Sequence, residues 1–195
     1  MTVLMRAREL VGRPVVTLDR ADDVAEVKDV LFSHAHGAVV GFTLNKRGML
    51  GGPMGELLPI SRLSSLGRDA LMIADAGALG PDDEATAGAR SSGQANVIGA
   101  AVTTDGGKEL GTVVDVIVEV DDARRSADVI GFEMHGPGVK RDRDTATLLL
   151  PVDDTIAVSG QALIVPAAAE GFVRDDLSGF GSAVAEFRAR LEAGR

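Results

Sequence analysis

The chain has 195 residues, 45% hydrophobic and 25% charged, with a formal net charge of −9. That balance suits a soluble globular protein and repels a bare phosphate backbone or an anionic lipid surface, so no nucleic-acid partner is expected. Aromatic residues are only 3%, too few for a base-stacking platform, and the lack of cysteine excludes disulfides, thiolate metal sites and cysteine nucleophiles. The opening stretch MTVLMRAREL reaches Arg6, Arg8 and Glu9 before an apolar run of signal-peptide length can form. No run approaches the ~18 apolar residues of a membrane-spanning helix. The expectation is a cytoplasmic protein with no integral membrane segment.

In chain order, short runs rich in Val, Ile and Leu alternate with Gly, Asp and charged turns. This pattern predicts strands near 14–18, 24–33, 38–45, 56–60 and 69–74. Residues 79–96, LGPDDEATAGARSSGQAN, lack apolar periodicity and read as a flexible linker. Strands resume near 100–104, 110–120, 127–135, 145–151 and 161–166, with Asp105–Gly107 as a hairpin turn. The C-terminal SGFGSAVAEFRARLEAGR places Val184, Phe187 and Leu191 on one helical stripe, with Ser182 as its expected cap. That stripe packs either on the second half or on a partner chain.

The two halves repeat. EVKDVLF and TVVDVIV carry Asp29 and Asp115 at one position. Gly41-Phe42 matches Gly131-Phe132, Pro59 matches Pro151, and Ala70-Leu71 matches Ala162-Leu163. Order is kept while loop lengths differ, which favours duplication. A β domain of this size buries only roughly 60% of its unfolded surface, so packing of the halves or a homodimer would help it. On strand alternation, Val27, Asp29 and Leu31 share one face, as do Val113, Asp115 and Ile117. An unpaired carboxylate in such a strand costs several kcal/mol, so each acid is expected to accept N–H groups of a nearby turn, or to mark a bend.

These motifs resemble the PRC-barrel family, named for the photosynthetic reaction centre H subunit and shared with the ribosome maturation factor. ELVGRPV and NVIGAAV resemble its leading "elxGxxV", with Gly12 and Gly99. GTVVDV, from Gly111 to Val116, is its complete "GxVxDV"; in the first half Ala25 stands where that glycine would be. VVGFTL and VIGFEM resemble its "xxGFxV", with Gly41 and Gly131. The resemblance implies an all-β fold of two small PRC-barrel-like barrels in tandem, followed by a short C-terminal α-helix. The implied layout is 1–78 for the first domain, 79–96 for the linker, 97–170 for the second and 171–195 for the helical extension. Gly12, Asp29, Gly41, Gly99, Gly111, Asp115 and Gly131 then serve the fold.

Little in the sequence suggests chemistry. His34 and His36 in SHAH would share a face if on a strand, as two metal ligands can, but a polar turn explains them better. The glycine-rich NKRGMLGGPMGE lacks the ending of a phosphate loop and is followed by a strand. It reads as a hairpin loop between two strands or, through Met49, Leu50 and Met54, as an adaptable apolar contact surface. No nucleophile elbow, calcium loop or cysteine site is present. The expectation is a non-enzymatic assembly adaptor without metal or cofactor, binding a protein through Met49, Leu50, Met54, Val184, Phe187 and Leu191. By family analogy, ribosome assembly is the alternative; a small metal protein or enzyme using His34 and His36 ranks below it.

Overall fold

The structure is a computed structural model that describes residues 2–33, 37–48, 51–81, 86, 97–121, 126–138, 147–152, 157–158 and 161–194. It is mostly β, with two sheets and one C-terminal helix. Contacts divide the chain into two compact units. Met1–Ala95 with Glu119–Asp128 form the first, and Asn96–Val118 with Val129–Arg195 form the second.

In the first unit, the strands are β1 (Thr2–Arg6), β2 (Pro14–Thr17), β3 (Asp23–Phe32), β4 (Val39–Asn45), β5 (Pro53–Pro59), β6 (Leu63–Leu66) and β7 (Leu71–Ile73). Six of them form a sheet in the order β5-β4-β3-β2-β7-β6. Only β2 and β7 run parallel, with Val15 beside Leu71. Alternation along the strands turns Val15, Val27, Phe42, Leu44, Leu58 and Ile73 into the core, each at most 1% exposed. Thr17 is also buried. Its hydroxyl accepts the N–H of Asp22 at 3.2 Å across the β2–β3 turn, where Ala21 takes a left-handed φ of 58°.

In the second sheet, β8 (Ala101–Thr104), β9 (Glu109–Asp121), β10 (Ser126–His135), β11 (Thr147–Pro151), β12 (Ala157–Val158) and β13 (Ala162–Val165) follow the order β11-β10-β9-β8-β13-β12. That is the strand order of the first sheet. Pairing agrees at the matched residues: Gly131 opposes Pro151 as Gly41 opposes Pro59, and Leu163 lies beside Val102 as Leu71 lies beside Val15. The expected hairpin turn lies between β8 and β9, closed by Thr104 and Lys108 backbone at 2.8 Å. The Thr104 hydroxyl also accepts the N–H of Lys108, as Thr17 does for Asp22.

The helix, α1 (Leu177–Ala193), starts earlier than the sequence suggests. Asp176, not Ser182, is its N-cap, and its carboxylate accepts the N–H of Gly179 at 2.9 Å. The hydroxyl of Ser178 and the N–H of Gly179 hold the Asp176 carboxyl below its usual range. Phe180, Ala183, Val184 and Phe187 form the buried stripe, at i, i+3, i+4 and i+7. Phe187 also packs on Phe172 of the 3-10 turn Ala167–Phe172, ring centroids 5.5 Å apart. The choice left open for this stripe falls on its own unit. Val184 and Phe187, expected to meet a partner, are 4% and 1% exposed, because α1 lies on β11 and that 3-10 turn.

Part of the stretch read as a linker is tied down. Gly80 and Leu57 exchange backbone hydrogen bonds of 2.7 and 3.1 Å, and Thr86 is fully buried. In the second unit Arg174 and Leu149 exchange the same pair, at 2.6 and 2.9 Å, and Phe180 is fully buried. In each unit, then, the chain leaves the sheet, returns to pair with one residue of the β5 or β11 edge, and six positions later buries a side chain.

Candidate interaction surface

The paired acids serve the strands. The Asp29 carboxylate accepts the N–H of Val30 at 2.9 Å, and that of Asp115 accepts the N–H of Val116 at 2.8 Å. The donor is the next residue of the same strand rather than a turn. In β3 the reason is visible. The register against β4 shifts between Val27 and Asp29, so an extra residue interrupts the ladder and a side-chain oxygen takes over a strand N–H. The same bulge takes Val27 off the face expected for Val27, Asp29 and Leu31: the shift falls between Val27 and Asp29, so Val27 turns to one face while Asp29 and Leu31, opposite Thr43 and Gly41, turn to the other. Asp29 is exposed. Asp115, by contrast, is only 3% exposed.

The glycines explain where the sheet needs space. At Gly111, φ is +148° and an added Cβ would lie 1.9 Å from the His135 carbonyl oxygen, so β9 passes against β10 too closely for any side chain. In the first unit Ala25 opposes Val15 within the ladder and is fully buried, so the strand runs on without that approach. At Gly131 an added Cβ would lie 2.4 Å from the Phe180 ring, and at Gly41 it would lie 3.1 Å from the Thr86 methyl. Each of these glycines is therefore a notch in the outer sheet face that receives a later side chain. Gly12 and Gly99 take φ of +84° and +91° in matched turns that leave Val11 and Ile98 exposed.

The expected contact residues do not converge. Met49 and Leu50 lie outside the described residues, as do His34 and His36. Met54 is half-buried on β5, and Leu191 is half-buried on α1. Among the described residues, no group of three or more His, Asp or Glu is placed to hold a metal ion. A shallow notch of the first unit is walled by Ile60, Leu63, Leu66 and Val120, and Asp121 is the one ionisable residue lining it, so it offers no acid–base pair. On the surface, Arg47 bridges Asp23 and Glu26 at 2.6 and 2.7 Å, and the Asp23 hydrogen bond holds its guanidinium above the usual value. Burial lowers the Arg13 guanidinium, which donates to the carbonyls of Glu9 and Gly67 and so staples a turn.

Sequence reasoning missed a buried polar group in the second unit. Glu133 is 1% exposed and accepts the Thr147 hydroxyl at 2.7 Å, while His135, two residues on, is 9% exposed and its Nδ1 has no hydrogen-bond partner among the described residues. An acid and a histidine at i, i+2 among apolar residues of β10 were the available signal.

Sheet order, bulge and glycine notches together describe a small β module with a built outer face. Residues 3–79 match the family model of the PRC-barrel domain. A PRC-barrel domain is thus found there, spanning β2 to β7. Such a domain is a small β-barrel module often involved in protein interactions. The comparison with curated proteins finds no match. Among the described residues, no helix is long and apolar enough to cross a membrane.

Proposed function

We propose that the protein is a non-enzymatic interaction module, an assembly adaptor in the cytoplasm, with the second unit a further copy of the PRC-barrel fold. The PRC-barrel match at residues 3–79 carries this reading. The shared strand order and pairing of the two sheets support the second copy. An adaptor needs a rigid scaffold and a recognisable face, and the pinned acids and filled notches supply the rigidity. The residues that would bind a partner belong to the first unit, because the apolar stripe of α1 is already covered.

Affinity capture of the tagged chain at native abundance, with quantitative mass spectrometry, tests this. The expected result is one protein partner at near-stoichiometric yield that survives moderate salt. A chain that elutes alone, at monomer mass by sedimentation, would overturn the adaptor reading. Turnover of a small molecule that follows the purified chain would do so too.

A further inference from the structure

The β2–β3 turn and the β8–β9 turn are built alike, so a difference between them marks what the fold does not require. In both, the threonine that ends the first strand accepts a turn N–H on its hydroxyl, that of Asp22 on Thr17 and that of Lys108 on Thr104. In both, the next residue donates its N–H to a neighbouring strand, Leu18 to the Ile73 carbonyl at 2.8 Å and Asp105 to the Val165 carbonyl at 2.9 Å.

The second unit ties its turn down with polar side chains. The Asp105 carboxylate accepts the N–H of Ala167 at 2.9 Å, Lys108 pairs with Glu170, and the left-handed residue is Gly107, at φ +81°. In the first unit Leu18 stands where Asp105 does and is 59% exposed, more than any other large apolar side chain among the described residues. The left-handed residue there is Ala21, a conformation that an L side chain adopts only at a cost. Asp75 turns its carboxylate to the N–H of its own turn, at Gly77. Asp19 donates to the Ala74 carbonyl at 3.2 Å, which sets Leu18 beside the exposed small residues Ala74, Ala76 and Gly77. An exposed leucine alone is ordinary. This one replaces a capping acid, on a turn that also carries backbone strain, and the second unit shows that the fold is served by the polar solution.

We propose that Leu18 is an anchor that enters an apolar pocket of a partner protein whose rim carries Lys or Arg. Charge decides the rim. Asp19, Asp22 and Asp75 lie in this turn or in the segment hydrogen-bonded to it, against Arg20 as the one cation of the turn, on a chain of net charge −9. The same acids oppose a second copy, which would set like charges together, and an anionic lipid surface. This inference rests on the interaction-module reading and names its anchor.

The test places a benzoylphenylalanine photo-cross-linker at position 18 of the full chain in its host cells. The control carries it at position 11, where Val11 is also exposed but lies at the other end of β2. The expected product joins position 18 to one partner, at a peptide containing apolar residues and Lys or Arg, well above the yield from position 11. Leu18→Asp should leave the urea midpoint within about 0.3 M of wild type and lower recovery of that partner about tenfold. Asp19→Asn with Asp22→Asn should lower recovery roughly two- to fivefold in low salt, with the difference lost in high salt. No cross-link above the control, a cross-link to a second copy of the chain, a pocket without basic residues, or full recovery by Leu18→Asp would each overturn the proposal. If affinity capture recovers a partner while position 18 stays silent, the adaptor reading stands and this anchor is discarded. If neither yields a partner, both readings fall.

Discussion

Gly111→Ala and Ala25→Gly, reciprocal changes at matched positions of the two units, should differ sharply in cost. Alanine at 111 must hold φ near +148°, a region in which a non-glycine residue costs of order 1–3 kcal/mol. Its Cβ would also start 1.9 Å from the His135 carbonyl oxygen, so β9 and β10 must part, at a further cost of about 1–3 kcal/mol. Together these give about 2–6 kcal/mol. Glycine at 25 needs no backbone change. It loses one buried methyl, about 0.8 kcal/mol, and gains unfolded-chain freedom, about 0.5–1 kcal/mol, for a total near ~1.5 kcal/mol. With neither Trp nor Tyr in the chain, far-UV circular dichroism during urea unfolding is the suitable probe. At a slope of about 2 kcal/mol/M, Gly111→Ala should lower the midpoint by roughly 1–3 M and Ala25→Gly by less than about 1 M. Equal shifts, or a Gly111→Ala shift below about 0.5 M, would refute the close-approach argument.

Phe187→Ala removes a fully buried ring from α1 and should cost about 3–5 kcal/mol, read as a lower unfolding midpoint; a change below about 1 kcal/mol would show that α1 does not hold to its unit. Asp115→Ala should cost about 1–3 kcal/mol, because it strips the acceptor from a buried strand N–H, while Asp29→Ala at its exposed site should cost less than about 1 kcal/mol. A stable Asp115→Ala chain that no longer captures a partner would return that acid to the candidate binding residues. Asp176 has a folded pKa below its ordinary value, so its contribution is complete above the unfolded carboxylate range and lost as pH falls through the folded pKa. Thermal melts of wild type should therefore lose α1 signal on acidification in a way that Asp176→Asn, which caps without titrating, does not.

The strands with a buried alternating face were legible. Those predicted at 14–18, 24–33 and 38–45 appear within a residue or so of Pro14–Thr17, Asp23–Phe32 and Val39–Asn45. β6 was not, because LSSL at a sheet edge offers a polar pair in place of a period, and β12 is only two residues long. The bulge at Asp29 was invisible because alternation assumes an unbroken ladder, and one inserted residue turns the later side chains to the opposite face. The start of α1 was misread for a different reason. Gly179 and Gly181 are poor helix formers, so local propensity points to Ser182, yet burial of Phe180 against Gly131 outweighs it. The notch glycines stand out in the sequence as motif residues, but their use depends on side chains 45 and 49 positions away, which no local pattern reports.

The first unit includes Glu119–Asp128, residues that lie beyond the start of the second. A chain that leaves a unit and re-enters it sets an order for its own synthesis. The ribosome delivers residues at roughly 5–20 per second, and domains generally fold as they emerge. Here the N-terminal unit cannot be completed when its own ninety-odd residues have appeared. It must wait, with its last contacts unmade, until the end of β9 and the start of β10 have cleared the exit tunnel. During that interval the unfinished unit is the species most exposed to chaperones and proteases. Dividing the gene between residues 95 and 96 would make that interval permanent for the first fragment.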